Sequence, residues 1–212
     1  MTDQLSLYNG ALEILGAGKL ASLTENREPR HKLDDIWSRN AVKRCLQQGQ
    51  WNFATRSIMP AIAASVTPAF GYQNAFEKPT DFIRTTGVCS DEFFKFPLTE
   101  YTDETNYWFA ELDVIYVRYV SSDTQYGFDF AIWPENFTEF VETWLAFKVA
   151  PRLTGISKDA KMLKQELKDA RMAAKNTDSM EQASPSKPPG SWTRSRLGRT
   201  GGDRGSRSQL IG

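Results

Sequence analysis

Residues 133–150 read WPENFTEFVETWLAFKVA, and this stretch decides the helical part of the fold. Pro134 and Glu135 are typical of a helix start, because proline tolerates the first turn and an acidic side chain interacts favourably with the helix N-terminus. Apolar side chains then recur at steps of three and four and form a wide face: Phe137, Phe140, Val141, Trp144, Leu145 and Val149. The stretch predicts a long buried helix that ends near Pro151 or Gly155.

The same periodicity predicts three further helices, over residues 4–16, 30–49 and 157–182. The last of these has a narrow, alanine-rich apolar stripe. Such a stripe favours close packing against one neighbouring helix while the other faces stay in water. Together with the helix over 134–152, these segments predict one helical bundle.

Residues 67–132 differ from both flanking segments, because aromatic and β-branched side chains are more frequent there. The best strand candidates are residues 93–96 (FFKF) and 114–120 (VIYVRYV). Residues 107–112 precede the second candidate with little room for a turn, so a hairpin at this point stays open. We expect a small antiparallel sheet in this part of the chain.

The predicted fold class is mainly α, a four-helix-type bundle with a β-rich insertion and an extended C-terminal arm. The helical body comprises residues 1–66 and 133–183, the insertion residues 67–132, and the flexible basic arm residues 184–212.

The 212 residues contain 26 basic and 26 acidic side chains, so the formal net charge is zero. The arm has six basic residues and one acidic residue, which makes it positive by five and the rest of the chain negative by five. The chain as a whole is therefore not steered towards nucleic acid or anionic lipid.

Few residues in the chain are suited to catalysis or metal binding. His31 is the single histidine, and Cys45 and Cys89 lack the spacing of metal ligands. The acidic pairs at 34–35 and 103–104 are interpreted as solvated, because adjacent residues on a helix point to different faces. No glycine-rich phosphate loop lies between a strand and a helix. We predict a protein that is not an enzyme and that has no cofactor.

The sequence favours a soluble protein made inside the cell. The chain begins Met1-Thr2-Asp3-Gln4, without the features of a secretory signal. Its most apolar stretch, 137–151, is interrupted by charges and is shorter than the ~20 residues that cross a bilayer. The two isolated cysteines are typical of a reducing compartment, although a disulfide stays open.

Three interpretations stay open for the arm. Its arginines could bind phosphate without sequence preference, it could order on a protein partner, or it could be a solvated end. Trp192 and the terminal Leu210-Ile211 are unusual in a solvated end, which favours the partner-binding interpretation.

Several short blocks of the chain carry a more specific signal than the periodicities. They are YNGALEILG at 8–16, ASLTE at 21–25, CL at 45–46, WNFA at 51–54, YQNAFEKPTDFIR at 72–84, VRYV at 117–120 and WPENF at 133–137. In this order they resemble the head-to-tail adaptors of tailed bacteriophages, the group that includes tail tubular protein A of short-tailed phages. The resemblance covers roughly residues 7–150. It departs from that family's pattern at Lys78, where an apolar residue is usual.

The resemblance implies a structural virion protein, a connector at the head-tail junction that is assembled in the host cytoplasm. Such an adaptor forms a homo-oligomer, a dodecamer or ring of about twelve copies, below the portal. The ring extends the DNA channel used in viral genome ejection and provides the attachment platform for the tail. The implied partners are the portal protein, a tail nozzle or tail tube protein, further copies of the chain, and double-stranded DNA that passes through the lumen without sequence recognition; a membrane is not among them. The alternative is a nucleic-acid-binding protein that acts through the basic C-terminal tail.

Two sets of candidate site residues follow. The first would anchor the arm on the portal: Trp192, Arg194, Arg196, Arg199, Leu210 and Ile211. The second comprises large aromatic residues that would serve as interface or core anchors: Trp51, Phe53, Tyr72 and Phe76. Pro79 and Asp81, which belong to the same block as Tyr72, are also typical of a turn.

Overall fold

The computed structural model describes residues 2–66, 68, 71–153 and 160–181. Within these residues there are five α-helices: α1 (Gln4–Ile14), α2 (Glu28–Trp37), α3 (Ala41–Leu46), α4 (Glu135–Leu153) and α5 (Ala160–Glu181). The same residues form six strands: β1 (Thr55–Ile58), β2 (Asn74–Glu77), β3 (Phe82–Cys89), β4 (Tyr101–Asp103), β5 (Tyr107–Ala110) and β6 (Tyr116–Ser121).

Helix α4 lies at the centre of the helical layer and packs against the four other helices. Its apolar face is buried as its spacing predicts, with Phe137, Phe140 and Leu145 at most 1% exposed. The N-terminus of α1 is closed by a capping box, in which Asp3 and Ser6 exchange hydrogen bonds between side chain and backbone. The helical layer therefore follows largely from local sequence signals.

The strands form two antiparallel three-stranded sheets, with the orders β1-β6-β3 and β2-β5-β4. A small second core contains side chains from both sheets, including Phe76, Val88, Trp108 and Val117. Each sheet thus covers the apolar face of the other.

Strand β6 connects the sheets to the helices. Val117 and Tyr119 point to one face of the strand, and Val117 belongs to the core between the sheets. Val120 points to the other face and belongs to the core formed by the helices. The strand is buried on both faces from Tyr119 to Ser121, and the sheets and helices share one compact unit that includes all the described residues.

The predicted fold class is wrong: the protein is a mixed α/β fold, not a mainly α four-helix bundle. Helix accounts for 43% and strand for 18% of the described residues, and the first sheet is built into the helical core through β6. The prediction missed this because β1, which lies before the predicted insertion, pairs along the whole of its length with β6. The sequence of residues 51–66 indicates a helix end and a short strand or extended segment of the helical body, and pairing with a distant strand has no local signal.

Two local predictions also need correction. The predicted helix over 30–49 is two helices, because Asn40 adopts a left-handed conformation with φ of 60° between α2 and α3. Residues 93–96 are not a strand but a tight loop, since the Asp91 carboxylate accepts hydrogen bonds from the backbone N–H groups of Lys95 and Phe96. The strand predicted over 114–120 is confirmed as β6.

Within the described ranges, no helix combines the length and the apolar character needed to cross a bilayer.

Candidate functional site

Trp51 is a core anchor at the joint between α3 and β1. Its side chain is 1% exposed, and its indole N–H donates a 3.0 Å hydrogen bond to the Leu46 carbonyl. The ring packs edge-on against Phe137 at 4.7 Å between centroids, and Phe53 packs against the same ring at 4.8 Å. Gly49 leaves room for the indole, since a Cβ at that position would lie 2.6 Å from Trp51 Cε2. Of the two open interpretations, the structure thus places Trp51 and Phe53 in the core.

The other two predicted aromatic anchors differ in burial. Phe76 on β2 is fully buried between the sheets and bridges to Ile62 across the backbone. Tyr72 precedes β2 and is half-buried. Phe76 therefore fills a core, while Tyr72 keeps part of its ring at the surface.

Asp81 lies at the centre of a polar network that joins three strands. It sits in the turn before β3, and its carboxylate accepts hydrogen bonds from Tyr119 (2.9 Å), Ser121 and Arg56 (3.3 Å). Its own carbonyl accepts a 2.8 Å hydrogen bond from the Ser122 N–H. Burial by itself raises the pKa of this carboxyl, but the donated hydrogen bonds outweigh it and hold the pKa below its usual range. Asp81 was expected to form a turn; that it also joins β1 to β6 was not visible in the sequence.

Lys78, the departure from the adaptor pattern, occupies an apolar position. Its side chain is only 6% exposed, with the ammonium 4.5 Å from the centre of the Phe82 ring and 5.4 Å from that of Trp108. The ammonium is paired with Asp103 and also donates to the Glu104 carbonyl. The aliphatic part of a lysine side chain can cover apolar rings while its ammonium group pairs with other polar groups. A lysine is therefore compatible with this buried position, where the adaptors usually have an apolar residue. Asp103 is accordingly an ion-pair partner and not merely a solvated acid.

An exposed aromatic loop lies between β3 and β4. Phe93 and Phe96 are 70% and 67% exposed, although the loop that carries them is held in place by Asp91. Phe94 has a φ of 56°, and the Arg118 guanidinium stacks on its ring at 3.9 Å. An ordered loop that presents two phenylalanine rings to solvent is a candidate contact for a protein partner.

Helix α5 separates two surfaces of opposite charge. One side, the basic flank, carries Lys161, Lys164, Lys168, Arg171 and Lys175. Its first four members line an open groove together with Gln48. The other side, the acidic flank, consists of Glu166 and Asp169 with Glu139 of α4, which line a second groove beside Met162.

Glu142 on α4 is a half-buried acid packed against α1. Gly10 makes this contact possible, because a Cβ there would lie 2.2 Å from the Glu142 carboxyl carbon. Burial, together with repulsion by the nearby Glu139 and Glu13, raises the pKa of Glu142 to about 7. Glycine inside a helix costs about 1 kcal/mol relative to alanine, so the contact with Glu142 explains Gly10 at this position.

We expect Glu142→Gln to remove part of the pH dependence of stability. A carboxyl whose pKa is raised in the folded state stabilises the protein fully below its unfolded pKa and loses that contribution as pH rises through about 7. Because the group is half-buried, solvent screening reduces the effect to about 1–2 kcal/mol. Urea unfolding at pH 5 and pH 8 should therefore show a smaller drop in the variant than in the native protein. The exposed Glu166→Gln is the control, and an equal drop in all three proteins would contradict the expectation.

The predicted arm anchors lie outside the described residues. They are Trp192, Arg194, Arg196, Arg199, Leu210 and Ile211. Their assignment to the portal stays a prediction.

Side chains suited to catalysis or metal binding are scattered over the described part of the chain. No three or more His, Cys, Asp or Glu side chains are grouped there in a way that could hold a metal ion. Cys45 and Cys89 are free and buried, and burial raises the pKa of both thiols. The single histidine, His31, is exposed and bonded to Asn26 at 2.9 Å. The features best suited to function are thus surfaces, namely the aromatic loop and the two flanks of α5.

The comparisons with protein families and with curated proteins find no relative of this chain. No protein-family model matches the chain, and no curated protein is significantly similar to it. A hypothesis on function therefore depends on the blocks quoted above and on the contacts that join them.

Proposed function

We propose that this protein is a structural virion protein, a head-to-tail adaptor that forms a ring below the portal and provides the attachment platform for the tail. In this proposal the ring has about twelve copies and continues the channel through which double-stranded DNA leaves the head. The protein acts by assembly and not by catalysis.

The observation that carries the proposal is that the blocks resembling adaptors contact one another in the folded chain. Trp51 of the WNFA block packs on Phe137 of the WPENF block at 4.7 Å. Asp81 of the YQNAFEKPTDFIR block accepts a hydrogen bond from Tyr119 of the VRYV block at 2.9 Å. These contacts join the blocks in the order and arrangement that a fold shared with the adaptors requires.

The first block makes equivalent contacts with its neighbours. The Asn9 side chain makes two hydrogen bonds to the backbone of Leu20: its amide oxygen accepts from the Leu20 N–H at 2.7 Å, and its amide nitrogen donates to the Leu20 carbonyl at 3.1 Å. These bonds position the ASLTE block that follows. Gly10 of the same block receives Glu142 of α4. The glycine and asparagine of that block thus have structural roles that other residue types would not fill.

A second candidate function is binding to nucleic acid. The observation that favours it is the basic flank of α5, whose five positive side chains precede the basic arm in the chain. Such a row could neutralise phosphates, and binding would weaken steeply with salt. This alternative predicts DNA binding by the protein in the absence of a portal.

The two candidates are tested by particle sizing and by DNA binding of the full chain. The adaptor hypothesis predicts that electron cryomicroscopy finds rings of the protein on portal rings encoded by the same genome. Deletion of residues 184–212 should weaken that binding by about tenfold or more, because Trp192 and the arginines would then be missing. Circular dichroism checks that the shortened chain keeps its helices.

Two results would count against the adaptor hypothesis. The first is a protein that stays monomeric with portal rings at every concentration. The second is salt-sensitive binding to a DNA duplex that fully accounts for any association with portal particles; this result would favour the nucleic-acid alternative.

A further inference from the structure

The basic flank of α5 has no acidic partner among the described residues. None of Lys161, Lys164, Lys168, Arg171 and Lys175 forms an ion pair with another described residue. Within the described part of the chain, Arg171 donates a hydrogen bond to the neutral Gln48, at 3.4 Å. The row extends over fourteen residue steps, or about 21 Å along the helix axis.

The spacing of the basic flank opposes the stability of the helix that carries it. Lys164 and Lys168 are four residues apart, as are Arg171 and Lys175, and like charges at this spacing repel on a helix. Burial lowers the pKa of Lys175, and the positive charges of Arg171 and Arg84 lower it further. The repulsion between these positive side chains is reduced when an acidic partner binds to the surface.

The acidic flank lies on nearly the opposite side of the same helix. At 100° per residue, the mean directions of the basic residues and of Glu166 and Asp169 differ by about 150° around the axis. Glu139 of α4 extends the acidic flank onto the neighbouring helix. Asp169 accepts a hydrogen bond from Gln165 at 2.9 Å, and within the described residues neither Glu166 nor Asp169 forms an ion pair.

We propose that the basic flank of α5 binds a second copy of this chain, through the acidic flank of that copy. Two complementary surfaces on opposite sides of one subunit produce a head-to-tail contact, in which every copy uses one surface for each neighbour. A head-to-tail contact closes into a ring when the rotation between copies closes. The inference rests on the proposed function for the closed ring and names the contact between its subunits.

The basic flank favours a second copy over a polyanion for a specific reason. A phosphate-binding surface needs only positive charge, whereas this subunit also carries a smaller acidic surface, formed by Glu139, Glu166 and Asp169, on the other side of the helix. Within a ring, both sets of charges are satisfied by one repeated contact. DNA binding by the basic flank is therefore treated as an outcome that the experiment can detect.

Charge exchange tests the proposal on the full chain. The variant K161E/K164E/K168E makes both flanks acidic, and E166K/D169K makes both flanks basic; all five positions are exposed. Each variant alone should associate with itself at least about tenfold more weakly than the native protein. An equimolar mixture of the two should recover the association, and so should the variant that combines all five substitutions, because the flanks again have opposite charge.

Association is measured by analytical ultracentrifugation over an about hundredfold range of concentration, at low salt and at about 0.5 M salt. Thermal unfolding followed by circular dichroism checks that each variant is folded. A 20-base-pair duplex, followed by fluorescence anisotropy, serves as the polyanion probe.

The results that would overturn the proposed contact between copies can be told apart. If both variants associate as the native protein does, or if the mixture does not recover, the proposed contact is wrong, even where rings on portals establish the adaptor function. If K161E/K164E/K168E loses duplex binding while the mass of every variant is unchanged, the basic flank binds a polyanion and the proposal is overturned. If E166K/D169K alters proteolysis within residues 184–212 without any change in mass, the occupant of the acidic flank is the chain's own arm and the proposal is again overturned. Charge-dependent recovery without portal binding would support the contact and reject the adaptor function.

Discussion

Trp51→Ala lowers the free energy of unfolding by about 3–5 kcal/mol, the largest effect expected for a single side chain in this protein. The indole is 1% exposed and contacts the aromatic rings of Phe53, Phe137 and Phe140. Its removal leaves a cavity at the joint of α3, α4 and β1, and it leaves the Leu46 carbonyl without the indole N–H. A loss of this size is a large part of the stability of an ordinary domain.

Trp51→Phe separates the cavity from the hydrogen bond. Phenylalanine keeps a ring in the site but has no N–H, so we expect a loss of about 1–2 kcal/mol. Urea unfolding followed by circular dichroism measures both variants against the native protein. Met180→Ala is the control, because Met180 is 84% exposed and its truncation should change stability by less than about 0.5 kcal/mol. A loss below about 1 kcal/mol for Trp51→Ala would show that Trp51 is not a core anchor.

Asp81→Ala lowers the free energy of unfolding at pH 7 by about 2–4 kcal/mol. Its carboxylate is the common acceptor for Tyr119, Ser121 and Arg56, and the Asp81 side chain is 15% exposed. Alanine leaves the buried hydroxyl groups of Tyr119 and Ser121 without this acceptor, and an unsatisfied group costs more than a hydrogen bond contributes. The network holds β1, β6 and the turn before β3 together, so we expect the loss to appear as a single cooperative transition.

The pH dependence gives a second test of Asp81. Its pKa is held below the usual range, so its contribution is present above about pH 4 and is lost as pH falls through the lowered folded-state value. The native protein should therefore lose stability on acidification more steeply than Asp81→Ala does. Asp35→Ala is the control, because the Asp35 side chain is 66% exposed and 3.9 Å from Arg152.

A coupled substitution distinguishes the network from a general loss of packing. Tyr119→Phe removes one of the orphaned hydroxyl groups, so it should restore part of the stability of Asp81→Ala while it destabilises the native protein. If the effects of the two substitutions simply add, the hydrogen bond between Asp81 and Tyr119 contributes little, and the account of the network is wrong.

The surfaces of α5 connect these stability predictions to assembly. The blocks that resemble an adaptor supply core side chains such as Trp51 and Phe137 and build the body, whereas the residues of the two charged flanks are mostly exposed and lie outside the quoted blocks. A change at Trp51 or Asp81 should therefore reduce folding and assembly together. A charge exchange on α5 should change association while unfolding stays the same, and this difference separates fold from function.

The sequence by itself determined the helices α1, α4 and α5 and the strand β6. Their signals are local: Asp3 and Ser6 close the start of α1, Pro134 and Glu135 lie at the start of α4, and apolar residues at steps of three and four mark the buried faces. Helical hydrogen bonds join residues four apart, so a short window of sequence contains the information that forms a helix.

Only the tertiary structure decided how the strands pair and which polar groups are buried. Asp81 meets Tyr119 and Ser121 across 38 and 40 residues of chain, and Lys78 meets Asp103 across 25. Neither partner carries a local signal of the other, because a carboxylate beside a turn looks the same whether it faces water or a tyrosine. The exposure of Phe93 likewise depends on how Asp91 bends the backbone of its loop. Strand pairing and buried polar contacts are formed between distant segments, so they follow from the packing of the whole chain and not from any stretch of it.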